Sequence, residues 1–280
     1  THHAGVGRPR AAPRDGQDHR AVPLYADGVV AIGFLTADRQ TVSSQALITA
    51  GRELCAAVDG LRFSPPVTHV LNPLDYAWAP HEQYLRRFGE GHKRVVFLGM
   101  NPGPFGMVQV GVPFGEVNAV RNWMRIDTPV GQPKTPNPSR PVEGFACQRS
   151  EVSGQRLWAL FAERYPRADD FFADHFVLNY CPLAFFDKAR NVTPDKLPKG
   201  ETAPLYAACD AHLRACVDAL APQWLIGIGK FAENQARLAI GQSSPEVRIG
   251  TILHPSPASP IANRGWAPQA AAQLAALGIW

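Results

Sequence analysis

Four short runs of apolar residues stand out along the chain: Arg94–Met100, His175–Cys181, Gln223–Gly229 and Val247–His254. Each is nearly continuous in apolar residues rather than alternating, which is the pattern of strands buried on both faces, as in a parallel sheet. Stretches with helical periodicity lie between them, at 153–164, 201–220 and 230–240. Strand and helix in alternation predict an α/β sandwich. A further amphipathic helix is predicted over 41–60, with Leu47, Leu54 and Val58 on one stripe and Gly60 ending it. That stripe reads as core packing.

Each apolar run ends in polar or Gly-rich residues: MNPGPFG, NYCPL, GIGK and HPSP. Sites in open α/β sheets form beyond the carboxyl ends of the strands. The loops carrying Asn101, Asn179 and His254 are therefore expected to converge at one edge. The Pro-rich stretch Thr128–Pro141 is a long connection, expected to be ordered by packing on the body. No internal repeat is present. Residues 1–22, rich in Arg, Pro, Gly and His, read as a disordered basic tail, which leaves 23–280 as a single domain. His2 and His3 fit a tag remnant, and the tail as a whole also fits a basic arm.

Composition narrows the function classes. The chain has 280 residues, 45% of them hydrophobic, enough for a substantial core. Its net charge of +4 fits a polyanionic partner without requiring one. No run of 18 apolar residues occurs, so no membrane partner is expected. With no signal-peptide pattern at the start, a cytoplasmic address is the default, in the nucleoid of a bacterium or the nucleus of a eukaryote. The cysteines, Cys55, Cys147, Cys181, Cys209 and Cys216, are odd in number and form no CxxC. That argues against a zinc knuckle, an iron–sulfur cluster or a disulfide scaffold, and no metal or other cofactor is expected.

The first loop runs Gly99-Met100-Asn101-Pro102-Gly103-Pro104-Phe105-Gly106-Met107, followed by Gly111-Val112-Pro113-Phe114-Gly115-Glu116. It has neither the GK[ST] ending of a P-loop nor GxGxxG. Glycines and prolines this dense suit a rigid backbone that a flat ligand approaches closely, and equally a tight strand-to-helix turn. The last strand runs into His254-Pro255-Ser256-Pro257-Ala258-Ser259-Pro260, then Ile261-Ala262-Asn263-Arg264-Gly265-Trp266. The prolines hold this segment stiff. His254 reads either as functional or as a satisfied strand-end histidine, and the stiff loop beside it suits insertion into a duplex.

These motifs, with SEVSG at 150–154, NYCPL at 179–183 and NVTPDKLP at 191–198, together resemble the single-strand-selective monofunctional uracil-DNA glycosylase family over about residues 61–280. The resemblance implies a three-layer αβα sandwich around a four-stranded parallel sheet, and it implies DNA as partner. By position, Asn101 matches the asparagine that positions the attacking water. Phe114 matches the aromatic on which the flipped base stacks, Asn179 the reader of the base edge, and His254 the histidine beside the departing base. Gly103 and Met107 fall where groups on pyrimidine C5 are admitted or excluded. Pro255 to Trp266 matches the segment that inserts into DNA, so Pro255, Ser256, Pro257, Ala258, Ser259 and Arg264 are candidate DNA contacts. One departure is clear: the family pattern has Arg after HPSP, then Asn-Pro, where this chain has Ala258, Ser259 and Pro260.

The chemistry is consistent with those matches. A base inside a duplex must be flipped out to be reached. Stacking on Phe114 tolerates any base, so discrimination falls to hydrogen bonds, and a primary amide at Asn179 accepts from uracil N3–H and donates to O4. A neutral His254 donating one N–H suffices for charge developing on uracil O2. Asn101 is a poor general base, so bond cleavage leads and water follows. A strand-cleaving lyase needs a desolvated lysine near the sugar. Lys196 sits in a polar run and Lys230 opens a helix, where it suits phosphate contact, so a monofunctional enzyme is expected; a monomer is expected as well. Cys181 reads as a packing thiol. The competing readings are a relative shifted towards deaminated purines such as xanthine, and a lesion-binding protein without turnover.

Overall fold

The computed structural model describes residues 43–280. The tail expected over 1–22 and the first part of the expected domain lie outside the described residues. In chain order the elements are α1 (43–59), β1 (His69–Leu71), α2 (Pro73–Tyr76), α3 (Trp78–Phe88), β2 (Val95–Gly99), α4 (Met107–Val110), α5 (Val152–Arg164), α6 (Ala168–Asp174), β3 (His175–Asn179), β4 (Ala184–Asp187), β5 (Arg190–Val192), α7 (Lys199–Leu220), β6 (Trp224–Ile228), α8 (Lys230–Ile240), β7 (Arg248–Ile252) and α9 (Trp266–Ala276). The four apolar runs of the sequence are β2, β3, β6 and β7.

Those four strands form one parallel sheet in the order β3-β2-β6-β7. All five residues of β2 and of β3 are buried, as expected of strands covered on both faces. Side-chain alternation shows what covers each face. Phe97 stacks among Phe161 of α5 and Phe171 of α6. Its neighbour Leu98 pairs in register with Gly227, and a Cβ on Gly227 would lie 2.4 Å from the Glu233 amide nitrogen of α8. Adjacent residues of a strand point to opposite faces, so α5 and α6 lie on one side and α8 on the other. The α/β sandwich anticipated from the sequence is thus present with three layers. Burying a phenylalanine such as Phe97 stabilises the fold by about 1.5–3 kcal/mol.

β3 is an edge strand, and edges need covering. Tyr84 of α3 does this: its hydroxyl donates to the Val177 carbonyl at 2.9 Å and accepts from the Val177 amide at 3.3 Å. In a second, antiparallel sheet, β1-β4-β5, the central strand β4 starts five residues after β3 ends, at Ala184. The connection 128–141 is ordered as expected, with Asn137 buried and donating through Nδ2 to the Lys188 carbonyl at 2.8 Å. Among the described residues no helix is long and apolar enough to cross a membrane.

Candidate active site

Parallel pairing puts the carboxyl ends of all four strands at one edge, and Gly99 of β2 lies opposite Asn179 of β3. A cavity of about 340 Å³ opens there. Asn101, Gly103, Met107, Phe114, Asn179 and His254 all line it. The three loops expected to converge do converge, and every proposed catalytic and base-contacting residue lies on one pocket.

Asn179 is 8% exposed. Its Nδ2 has only the soft Met107 sulfur as acceptor, at 3.3 Å, and its Oδ1 is buried with no hydrogen-bond partner. Buried amides are normally satisfied, so this one holds a donor and an acceptor side by side in the wall of a pocket. Gly99 makes the arrangement possible. A Cβ there would fall 2.4 Å from Asn179 Oδ1 and 2.4 Å from the Phe114 ring.

Phe114 reaches its place by backbone strain. Its φ is +53°, left-handed, and unfavourable for an aromatic residue. α5 holds it there. The Trp158 indole N–H donates to the Phe114 carbonyl at 2.9 Å, and Gly154 lets the helix close on the same carbonyl, where a Cβ would approach to 2.1 Å. The Phe114 and His254 rings stand 6.1 Å apart, tilted by 42°.

Asn101 donates through Nδ2 to the Leu183 carbonyl at 3.1 Å, in the loop after β3. That bond fixes the amide and leaves Oδ1 as its acceptor. Burial of the His254 ring lowers its pKa to about 4, so the imidazole is neutral near pH 7. Gly229, at φ +92°, gives it room, since a Cβ there would lie 3.0 Å from His254 Cβ.

Among the pocket residues that received no role from the sequence, Glu151 is the acidic one. Glu151, inside the SEVSG motif at the N-terminus of α5, lines the cavity. Its Oε2 accepts from the Phe105 amide at 3.2 Å and packs where a Cβ on Gly103 would stand, 2.4 Å away. Burial raises its carboxyl pKa, and the Phe105 N–H works against that. The carboxylate is a brace for the backbone of the first loop. An acidic residue opening a helix was a legible signal, but its packing partner was not.

The last loop is tied from α5 as well. Arg156 donates to the Pro255 carbonyl at 3.1 Å and to Asn263 Oδ1 at 2.9 Å, while Asn263 Nδ2 reaches the Pro257 carbonyl at 2.8 Å. Ser256 and Pro257 line the cavity; Pro255 is buried, Ala258 and Arg264 are exposed, and Ser259 is half-buried. Ile261 is 50% exposed, one of two exposed large hydrophobic residues in the described chain. Lys230 does not line the cavity. Its Nζ lies 2.8 Å from Glu233 Oε2, so any phosphate contact competes with that pair. Cys181 is fully buried, a packing thiol as expected.

Fold and pocket together define a three-layer α/β protein with a cavity at the carboxyl edge of its parallel sheet. The family model of the uracil DNA glycosylase superfamily matches residues 86–274, and the chain belongs to that superfamily. It is 46% identical over 227 residues to the single-strand selective monofunctional uracil DNA glycosylase of Mus musculus, which covers 81% of each chain. To the protein of that name from Rattus norvegicus it is 47% identical over 227 residues, covering 81% of this chain and 82% of the other. Within the superfamily, the single-strand selective monofunctional family is therefore its own. The crystal structure of wild-type Pedobacter heparinus SMUG2 shares the fold, with a TM-score of 0.61 at 15% identity over 84% of this chain and 98% of that one.

Proposed function

We propose that the chain is a DNA-repair glycosylase that hydrolyses the N-glycosidic bond of uracil in DNA and leaves the strand intact. The observation that carries this reading is the Asn179 amide, orphaned in the pocket wall beside an aromatic platform. Uracil offers N3–H to Oδ1 and O4 to Nδ2, whereas cytosine offers the reverse pattern. A mismatched buried amide rejects the wrong base by on the order of 10⁴-fold when the site is built around that bond.

The flipped base stacks on Phe114. Neutral His254 donates to O2 as the leaving group becomes anionic, without any proton transfer being needed. Asn101, fixed by the Leu183 carbonyl, positions water for the sugar carbon after the bond has largely broken. No lysine lines the cavity. Lys93, whose pKa burial lowers to about 8, precedes β2 at the opposite edge of the sheet. A Schiff-base step therefore lacks its amine, which supports a monofunctional reaction.

Gly103 and Met107 border the side of the slot where a C5 substituent would lie, and C5-modified uracils belong to the proposed range. The loop from Pro255 to Ser259, with Arg264, enters DNA. Exposed Ile261 offers an apolar wedge where Ala258 replaces the family's arginine. The protein acts as a monomer in the nucleoid or nucleus.

The test is incubation with a single-stranded oligonucleotide carrying one uracil, with and without EDTA. The expected result is free uracil and an alkali-labile site, the strand uncut before alkali, and no effect of the chelator. Binding without release would make this a lesion-binding protein. Release of xanthine but not uracil would move it to the purine reading, and a nick before alkali would overturn the monofunctional assignment.

A further inference from the structure

The Pro104 edge of the pocket carries charge no function has yet absorbed. Pro104 lines the cavity there, and Phe105 follows it on the outside of the same loop. Two guanidinium groups flank the Phe105 ring: Arg149 with its Cζ 4.0 Å from the ring centroid, and Arg140 at 5.1 Å. Neither makes an ion pair with a carboxylate among the described residues. Arg140 is held from the main chain, and Arg149 rests on the Phe105 ring. Arg140 donates through Nε to the Ala189 carbonyl at 2.9 Å. Arg149 is two residues ahead of Glu151, which is itself bonded to the Phe105 amide. Lys188, exposed and also without an ion pair, sits beside the Ala189 carbonyl, and its own carbonyl accepts from Asn137 at 2.8 Å.

Two cations on one ring repel each other, and Glu151, which accepts from the Phe105 amide and pairs with neither guanidinium, does not fully offset that cost. A polyanion crossing the rim would. A guanidinium stacked on an aromatic face keeps its in-plane N–H fork free, and that fork matches a phosphate. A strand that delivers one nucleotide to the pocket must cross its rim. We infer that Arg140 and Arg149, oriented by Phe105, form a phosphate-binding subsite for the substrate strand at the Pro104–Phe105 edge of the pocket, built from residues other than those of the Pro255–Ser259 loop. This rests on the glycosylase reading for the route of the strand, but its signature is separate from catalysis.

The experiment measures the affinity of a single-stranded oligonucleotide bearing a non-hydrolysable 2′-fluorinated deoxyuridine at a series of salt concentrations. Each phosphate contact on a single strand contributes about 0.7 to the slope of log affinity against log salt. The double variant R140Q/R149Q should flatten that slope by up to about 1.4. Inhibition by free uracil and the single-turnover rate at saturating DNA should stay at their wild-type values. The R140K/R149K variant should keep the wild-type slope, since the slope counts charge, while its affinity falls for want of the fork. An unchanged slope in R140Q/R149Q overturns the subsite. So does a variant in which free-uracil inhibition falls along with affinity, because the arginines would then be packing the pocket wall. If the wild type releases no uracil yet the slope still flattens, the subsite stands and the reading of the pocket falls.

Discussion

His254 and Asn179 show how much one side chain's surroundings decide. A histidine at the end of a strand is an ambiguous signal in a sequence, because a satisfied structural histidine reads the same way. What separates the two is burial against Phe114 beside a cavity, with a pKa lowered to about 4. The ordinary histidine value is about 6.5. A neutral donor that does not titrate until about pH 4 makes the single-turnover rate flat from pH 8 down to pH 5. A rate that instead inflects near pH 6.5 would show His254 changing charge during the working range. His254→Ala should slow the step by roughly 10²-fold, the usual cost of one lost donor to a developing anion. Asn179 was legible as a residue type at a strand end. Its missing partner was not, because satisfaction is a property of neighbours brought from Met107 and Gly99.

At the scale of elements, the strands of the parallel sheet were legible because they are buried on both faces and so read as unbroken apolar runs. Their observed limits fall inside the four runs marked in the sequence. The small sheet β1-β4-β5 was not legible, since strands of three or four residues leave no periodicity to read. α3 and α9 were missed as well. Each carries a proline near its start, which reads as a break; α9 is mostly alanine and shows no clear stripe, whereas α3 does carry one, at Trp78, His81, Tyr84, Leu85 and Phe88. α5 was expected, yet its importance was hidden. It braces the first loop through Glu151, the aromatic platform through Gly154 and Trp158, and the last loop through Arg156. Gly154→Ala tests that role. The added Cβ would meet the Phe114 carbonyl at 2.1 Å, so either α5 or Phe114 must shift. Overpacking of this kind costs about 1–3 kcal/mol. The expectation is a lower melting temperature together with weaker inhibition by free uracil. A variant with wild-type base affinity would show that α5 does not set the platform.

Across the whole molecule, several histidines are enclosed in neutral form. Burial lowers His81, His175, His212 and His254 to about 4. In the unfolded chain each titrates near 6.5. Between these values the unfolded state binds more protons, so stability rises with pH there and falls as the pH drops. Each histidine contributes at most about 1.4 kcal/mol per pH unit in that window. Thermal melts should therefore give a level melting temperature between pH 7 and pH 8, below the range in which buried Lys93 titrates, and a progressive fall from pH 6.5 to pH 4. A melting temperature that stays level across that window would mean these rings accept protons in the folded state. The same enclosure makes the site rigid: a sheet edge, a braced first loop and a tied last loop hold one slot open at fixed geometry, which is what reading a base edge requires.

The central claim is that Asn179 reads that edge, and Asn179→Asp addresses it with the smallest change of shape. The aspartate offers an acceptor where the amide offers a donor, so an ionised carboxylate repels uracil O4. Single-turnover release is measured on matched oligonucleotides carrying uracil or cytosine, with melts alongside to establish folding. The account predicts a folded variant whose uracil release falls steeply, with any cytosine release limited by the cost of desolvating the charge. A folded Asn179→Asp protein that excises uracil at the wild-type rate would contradict it.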